Sequence, residues 1–341
     1  MNTLISVLGS TATGKTLFAL KLAEQALSIK SKLGETTRKK LYKGVDLISA
    51  DSRQIYQGLE ILSGADIPKG FAKVLPSKFN KIKKLRVGID NFPFYENKQI
   101  RLHGVSIIGM CEEWSVAHFK NFAINIINDS FAHNRLPIIV GGTTLYINHL
   151  FNKDNKLYVK PITSVRNKAS QMNIQELQEW LKLVNPEKLA KMNNSDINNS
   201  RRLVRAIEIS IGKPELEKVM NLSDNINNLK IGLMAELGTI SEKINKRVLE
   251  RFNNGAVDEV KNLNIICPLD SSISSTILGA SDISSYLQNE INQEKCLENW
   301  ALHEFQYAKR QLVWLKKEKS IVWLDDLTKY SYTLNNEKIF I

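Results

Sequence analysis

Cysteine is scarce: 341 residues hold three, Cys111, Cys267 and Cys296. They are widely spaced, and no pair has the spacing of a metal-ligand set or a redox motif, so free thiols in a reduced compartment are expected. The five histidines (His103, His118, His133, His149 and His303) form no ligand cluster. No stretch approaches the ~20 apolar residues that cross a bilayer, so no membrane association is expected. The opening MNTLISVLGS carries no basic leader, so no secretory signal is expected and a cytoplasmic location is. Heptad runs, internal repeats and Pro-rich linkers are absent too. Acidic residues run short: 35 Asp and Glu face 47 Lys and Arg, for a net charge of +12. A surplus of that size favours a polyanionic partner, since each phosphate contact releases condensed counterions.

Short apolar runs alternate with amphipathic stretches. Leu4 to Leu8 and Ile138 to Val140 read as buried parallel strands, as does Val45 to Ala50. Leu17, Leu20, Ala23 and Leu27 recur at helical spacing. Ser115 stands as N-cap to a helix with Val116, Phe119, Ala123, Ile126 and Ile127 on its apolar face. The pattern predicts an α/β fold with a P-loop NTPase-like, mostly parallel sheet. From 151 to 222 it turns helical and polar, and is expected to be an inserted region within a core made of 1–150 and 223–341. Leu229 to Met234 reads as a strand returning to the sheet. Helices are expected over 239–263, 281–290 and 293–317, and a last strand over Ile321 to Leu324. Two Lys-rich stretches, 28–44 (Lys30, Lys32, Arg38, Lys39, Lys40, Lys43) and 69–86 (Lys81, Lys83, Lys84, Arg86), read as solvated loops or as RNA contacts.

Gly9-Ser10-Thr11-Ala12-Thr13-Gly14-Lys15-Thr16 fits G-x-x-x-x-G-K-[ST] between a strand and a helix. Its glycines let successive backbone N–H groups face one anion, the helix adds its positive end, Lys15 adds a cation, and the Thr16 hydroxyl suits Mg²⁺. Such a loop recognises phosphates and does not by itself require a triphosphate. Asp51 follows the second strand, where ligands of open α/β sheets bind. It could hold Mg²⁺, act as a base, or cap the next helix. Gly142 and Thr143 occupy another Gly-rich turn after the third strand.

These blocks together resemble the tRNA dimethylallyltransferases, the IPP transferase family. GSTATGKT, DLISADSRQIYQGLEI, EEWSVAHF, LPIIVGGTTLYI, DINNSRRLVRAIEISIGKP, NKRVLERFNNGAVDEVKNL and YAKRQLVWL follow the family's order across about 5–324. The resemblance implies transfer of a dimethylallyl group from dimethylallyl diphosphate to N6 of the adenine 3′ of the tRNA anticodon, with Mg²⁺. It implies Asp51 as the base, Thr11 near the reacting centre, and residues 9–16 as the diphosphate loop. Ser52, Gln54, Gly142 and Thr143 are implied to line the acceptor pocket. Arg201, Arg202 and Arg205 are implied to approach the active site and the RNA; the alternative reading of that spacing is solvated helix arginines paired with Glu208. Lys309, Arg310 and Gln311 are expected on the RNA backbone, with the anticodon stem-loop as partner and the protein a monomer. Trp300, Trp314 and Trp323 read as core.

The chain departs from the family pattern in several places. The family's arginine seven residues before Ile244 is Leu237 here, which leaves Arg202, Arg205 or Lys246 as candidates for the missing charge. The family's T-R-x-Y-A-K-R-Q begins Glu304-Phe305. Alternative readings are a small-molecule P-loop kinase, a prenyltransferase of free adenine nucleotides, and an RNA-binding homologue with weak or lost catalysis.

Overall fold

The computed structural model describes residues 2–28, 41–65, 67–75, 92–216, 219–267, 277–324, 331–334 and 337–340. Lys30, Lys32, Arg38, Lys39 and Lys40 of the first basic stretch, and Lys81, Lys83, Lys84 and Arg86 of the second, lie outside the described residues. The chain forms two compact units, Met1–Leu150 with Leu222–Ile341, and Phe151–Asn221.

The first unit opens with β1 (Asn2–Gly9), buried from Leu4 onward. A Gly-rich turn leads to α1 (Lys15–Ser28), whose Phe18, Ala19, Leu22, Ala23 and Ala26 are buried at helical spacing. β2 (Gly44–Ser49) is buried along its whole length. After it come α2 (Glu60–Ser63) and the strands β3 (Ala72–Val74), β4 (Phe94–Asn97) and β5 (Ile100–His103). The Ser115 hydroxyl accepts the His118 N–H to cap α3 (Val116–Ala132), and the His118 ring accepts the Ser115 N–H in return. β6 (Arg135–Gly141) is buried throughout and leads to α4 (Thr144–Phe151).

The second unit is helical: α5 (Thr163–Ala169), α6 (Ile174–Val184), α7 (Pro186–Ala190), α8 (Asn194–Ile197) and α9 (Ser200–Ile211). Val165, Leu177, Leu181, Leu203 and Ile207 make its own small core. Asn173 and Asn199 cap α6 and α9 through their side chains.

The chain then rejoins the first unit as β7 (Ile226–Leu233), α10 (Leu237–Arg251), α11 (Val257–Ile266), α12 (Ala280–Leu287), α13 (Gln293–Leu315) and β8 (Val322–Leu324). A last pair, β9 (Ser331–Leu334) and β10 (Glu337–Phe340), is antiparallel. The main sheet runs β3-β4-β5-β2-β6-β1-β7-β8. Pairings from β5 to β8 are parallel, and β3, β4 and β5 form an antiparallel edge. Burial on both faces explains why β1, β2 and β6 are mostly apolar without alternation, with Ser6, Asp46 and Arg135 as buried polar members.

Three expectations need correction, and one feature was missed. The antiparallel edge went unread, because its strands are only three or four residues long, too short for a periodic signal. The helix expected over 239–263 is interrupted by a wide turn at Phe252–Ala256, where Gly255 takes a φ of 116° that a side chain resists. Cys111 and Cys267 are not free thiols but a disulfide, with Cα atoms 5.8 Å apart, joining the segment after β5 to the end of α11. Their 156-residue separation hides the pairing from any spacing argument; Cys296 is free and buried. Trp300 is fully buried as expected, but Trp314 is 52% exposed. No described helix is long and apolar enough to cross a membrane.

Candidate active site

Strand register brings three loops together. Leu8 of β1 lies beside Gly141 of β6, and Val140 lies beside Ser49 of β2, so the chain leaves all three strands at one edge of the sheet. The Gly9–Thr16 loop, Asp51 and the Gly141–Thr143 turn therefore meet at the carboxyl ends of parallel strands, where open α/β sheets place ligands.

The loop is tightly determined. A Cβ on Gly9 would stand 2.8 Å from Thr13 Oγ1 and 2.9 Å from the Leu233 carbonyl. Ala12 and Gly14 adopt φ of 62° and 83°, the curl that turns N–H groups inward. Thr13 Oγ1 donates to the Ser10 carbonyl at 2.8 Å, and Lys15 Nζ donates to the same oxygen at 2.6 Å. Thr11, Ala12, Gly14, Lys15 and Thr16 line a cavity of about 840 Å³. Asp51, Arg53 and Gln54 line it as well, with an apolar portion from Leu20, Leu47, Leu62, Leu102, Val105 and Val140. One space thus joins an anion-binding loop, a carboxylate and an apolar wall. That combination suits a donor with a polyanionic end and an apolar end.

Asp51 Oδ1 accepts the Arg53 N–H at 2.9 Å, and the Arg53 guanidinium lies 3.9 Å over the Tyr307 ring. Burial, then the Asp51 carboxylate, pushes the Tyr307 hydroxyl above its ordinary range. The same two causes, in the same order, raise that of Tyr146, which stacks on Phe119 at 4.3 Å. Gln54 is committed to the fold: its Nε2 donates to the Gly64 carbonyl at 2.9 Å, and its Oε1 accepts from Ser49 at 3.4 Å. Ser52 is partly exposed on the same turn. Gly142 has no room for a Cβ, which would meet the Gln311 amide and, at 2.7 Å, the Gly9 carbonyl. The buried Thr143 Oγ1 makes no hydrogen bond of good geometry and has the Tyr307 hydroxyl as a polar neighbour.

Residues 83–318 match the family model described as IPP transferase. The chain belongs to the IPP transferase family. It is 31% identical over 322 residues to the tRNA dimethylallyltransferase of Geobacillus thermodenitrificans, an overlap covering 91% of each chain. The tRNA isopentenylpyrophosphate transferase from Bacillus halodurans superposes with a TM-score of 0.58 at 25% identity, covering 95% of this chain and 90% of that one. A eukaryotic dimethylallyltransferase acting on tRNA superposes at 0.67 over 95% of this chain and 74% of that one, and at 21% identity the likeness is one of fold. The recognition from motif order, and the P-loop NTPase-like α/β sheet read from the strand and helix pattern, both hold.

Against the IPP transferase pattern, Leu237 is the first residue of α10 and 45% exposed. Of the candidates for its charge, Lys246 does line the cavity, together with Lys243 and Arg247 of α10. Arg202 and Arg205 belong to the second unit, where Arg202 pairs with Asp196. Arg205 donates to Glu208 at 3.1 Å and to the Val159 carbonyl at 2.7 Å. Burial alone would raise the Glu208 carboxyl, but bonds from Arg166, the Ile162 N–H and Arg205 hold it below the ordinary range. Arg205 thus serves the fold of that unit, while Arg201 is exposed on α9.

Sequence reasoning gave no site role to several cavity residues, Tyr307, Lys243 and Arg247 among them, and it missed or misplaced three more. Arg251 and Glu304 form a buried pair in its wall, at 2.6 Å. Gln311, expected on RNA with Lys309 and Arg310, is instead 6% exposed and accepts the Thr11 N–H at 2.8 Å. Lys309 and Arg310 are exposed. The available signal for Gln311 was its position between Ala308, Leu312 and Leu315 on the apolar face of α13.

Proposed function

We propose that this protein transfers the dimethylallyl group of dimethylallyl diphosphate to N6 of the adenine 3′ of the tRNA anticodon, releasing pyrophosphate. The observation that carries the reading is the composition of one cavity, which combines the phosphate loop, Asp51 and an apolar wall. An adenine N6 is a weak nucleophile, because its lone pair is delocalised into the ring. Asp51 accepts its proton as the bond to C1 of the prenyl group forms. The C1–O bond breaks, and its electron pair leaves with the diphosphate. Charge growing on that leaving group is met by the N–H groups of the curled loop and by Lys15. The apolar wall receives the prenyl chain and excludes water from an electron-poor carbon.

Thr16 offers a hard oxygen to the same cavity, the donor type that Mg²⁺ takes, and among the described residues no cluster of three His, Cys, Asp or Glu competes for the ion. Sparse protein ligation is usual for Mg²⁺ bound through phosphates, and a bound Mg²⁺ supplies further positive charge to the leaving group. The adenine must leave its stack to reach Asp51; Gln54 lines the cavity beside that carboxylate, and we read Ser52, Gly142 and Thr143, which lie on the adjoining turns and not on the cavity wall, as neighbours of the base. The +12 charge, with Arg201, Lys309 and Arg310 exposed, supports contact with the phosphates of an anticodon stem-loop. We read the protein as a cytoplasmic monomer.

The test is label transfer from dimethylallyl diphosphate to an anticodon stem-loop carrying adenine, beside one carrying guanine at that position. Label on the adenine RNA alone supports the reading. Stem-loop binding without transfer would replace it with that of a catalytically inactive RNA-binding homologue.

A further inference from the structure

Three loops make the site, and one helical turn of α13 touches all of them. Gln311 Oε1 accepts the Thr11 N–H at 2.8 Å. Its amide packs where a Cβ on Gly142 would have to stand, beside the Gly9 carbonyl. Tyr307, four residues earlier and on the same helix face, carries the Arg53 guanidinium at 3.9 Å, and the Arg53 N–H donates to Asp51 at 2.9 Å. The phosphate loop between these contacts is not a relaxed backbone. Ala12 holds φ of 62°, a left-handed conformation that is unfavourable for a non-glycine residue and persists only where neighbours fix it. On its far side, Thr13 is fixed by the bond from its hydroxyl to the Ser10 carbonyl. On its near side, the tie is Gln311.

We infer that Gln311 is a positioning residue, which sets the phosphate loop for diphosphate by holding the Thr11 N–H. The inference rests on reading the cavity as the diphosphate site. The residue type fits the task. Glutamine offers a neutral acceptor at the length required. Asparagine falls a methylene short, and a glutamate would place a negative charge beside a polyanion. The Thr11 N–H is committed to Gln311 and so falls outside the set of N–H groups left for phosphate. Gln311 is buried on the cavity side of α13, away from the exposed Lys309 and Arg310.

The test compares wild type, Gln311→Met and Gln311→Glu in the full-length protein. Methionine keeps the volume and removes the acceptor; glutamate keeps the acceptor and adds charge. With Gln311→Met, kcat falls about 10- to 100-fold while stem-loop affinity stays within twofold of wild type. With Gln311→Glu, the KM for dimethylallyl diphosphate and the Kd of pyrophosphate rise at least tenfold. Amide hydrogen exchange at Thr11 gives a readout that needs no turnover: protected in wild type and Gln311→Glu, fast in Gln311→Met. Equal protection of Thr11 in wild type and Gln311→Met overturns the inference. So does a loss confined to stem-loop affinity, which would make Gln311 an RNA contact. A wild type that transfers no label while Thr11 exchange responds as stated would sink the proposed reaction and leave the positioning role standing.

Discussion

The Arg251 guanidinium donates to the Glu304 carboxylate at 2.6 Å inside the cavity wall, joining the end of α10 to the middle of α13. The Trp300 indole N–H donates to the same carboxylate oxygen at 3.1 Å, and Gly64 leaves the space that the guanidinium fills. Removing one partner strands a buried charge, whereas removing both leaves an apolar gap that packing can fill. Glu304→Leu alone is expected to cost about 3–5 kcal/mol, and Arg251→Met with Glu304→Leu far less. Denaturant unfolding of the two single variants and the double variant checks this. Additive losses would show that the pair is not coupled.

Acid stability is expected to depend on Asp46. This buried carboxylate accepts from Arg135 at 2.8 and 3.0 Å, from Ser130 at 2.8 Å, and faces His103 at 3.2 Å. Burial opposes its ionisation, but His103 and Arg135 together hold its pKa well below the usual carboxylate range. A depressed folded pKa stabilises the protein above the unfolded value of about 4, and the contribution is lost as pH falls through that value and below. Unfolding free energy measured from pH 7 down to pH 3 should therefore drop more in wild type than in Asp46→Asn. That variant should already be weaker by about 3 kcal/mol at pH 7. Parallel curves would remove Asp46 from the account.

The Cys111–Cys267 disulfide closes a long loop. Denatured, unreduced protein should titrate one thiol, that of Cys296, and three after reduction. Reduction should lower stability by about 2–4 kcal/mol. Three thiols without reductant would contradict the pairing.

What the sequence disclosed follows from how local each signal is. β1, the phosphate loop and α1 are one continuous segment whose glycines, lysine and apolar spacing all serve a single local structure. Asp51 was found because it directly follows a buried strand. Glu208 as the partner of Arg205 was open to inspection, since three residues along a helix place them together. Gln311 was assigned to the wrong face because its neighbours Lys309 and Arg310 are basic and exposed. Its partner, Thr11, is 300 residues away. The same distance problem hid Arg251 with Glu304 and Cys111 with Cys267, pairs that only the folded sheet and its helices bring together. Trp314 looked like core from its residue type, yet α13 turns it outward.

The central claim is that Asp51 takes the proton from the adenine amine while the phosphate loop holds the leaving group. Single-turnover transfer with saturating dimethylallyl diphosphate and stem-loop tests it most directly, with wild type set beside Asp51→Ala. The account predicts that the rate falls by two or more orders of magnitude in the variant, as general-base loss of about 10²–10⁴ implies, while pyrophosphate and stem-loop affinities hold. Transfer by Asp51→Ala at the wild-type rate would contradict it.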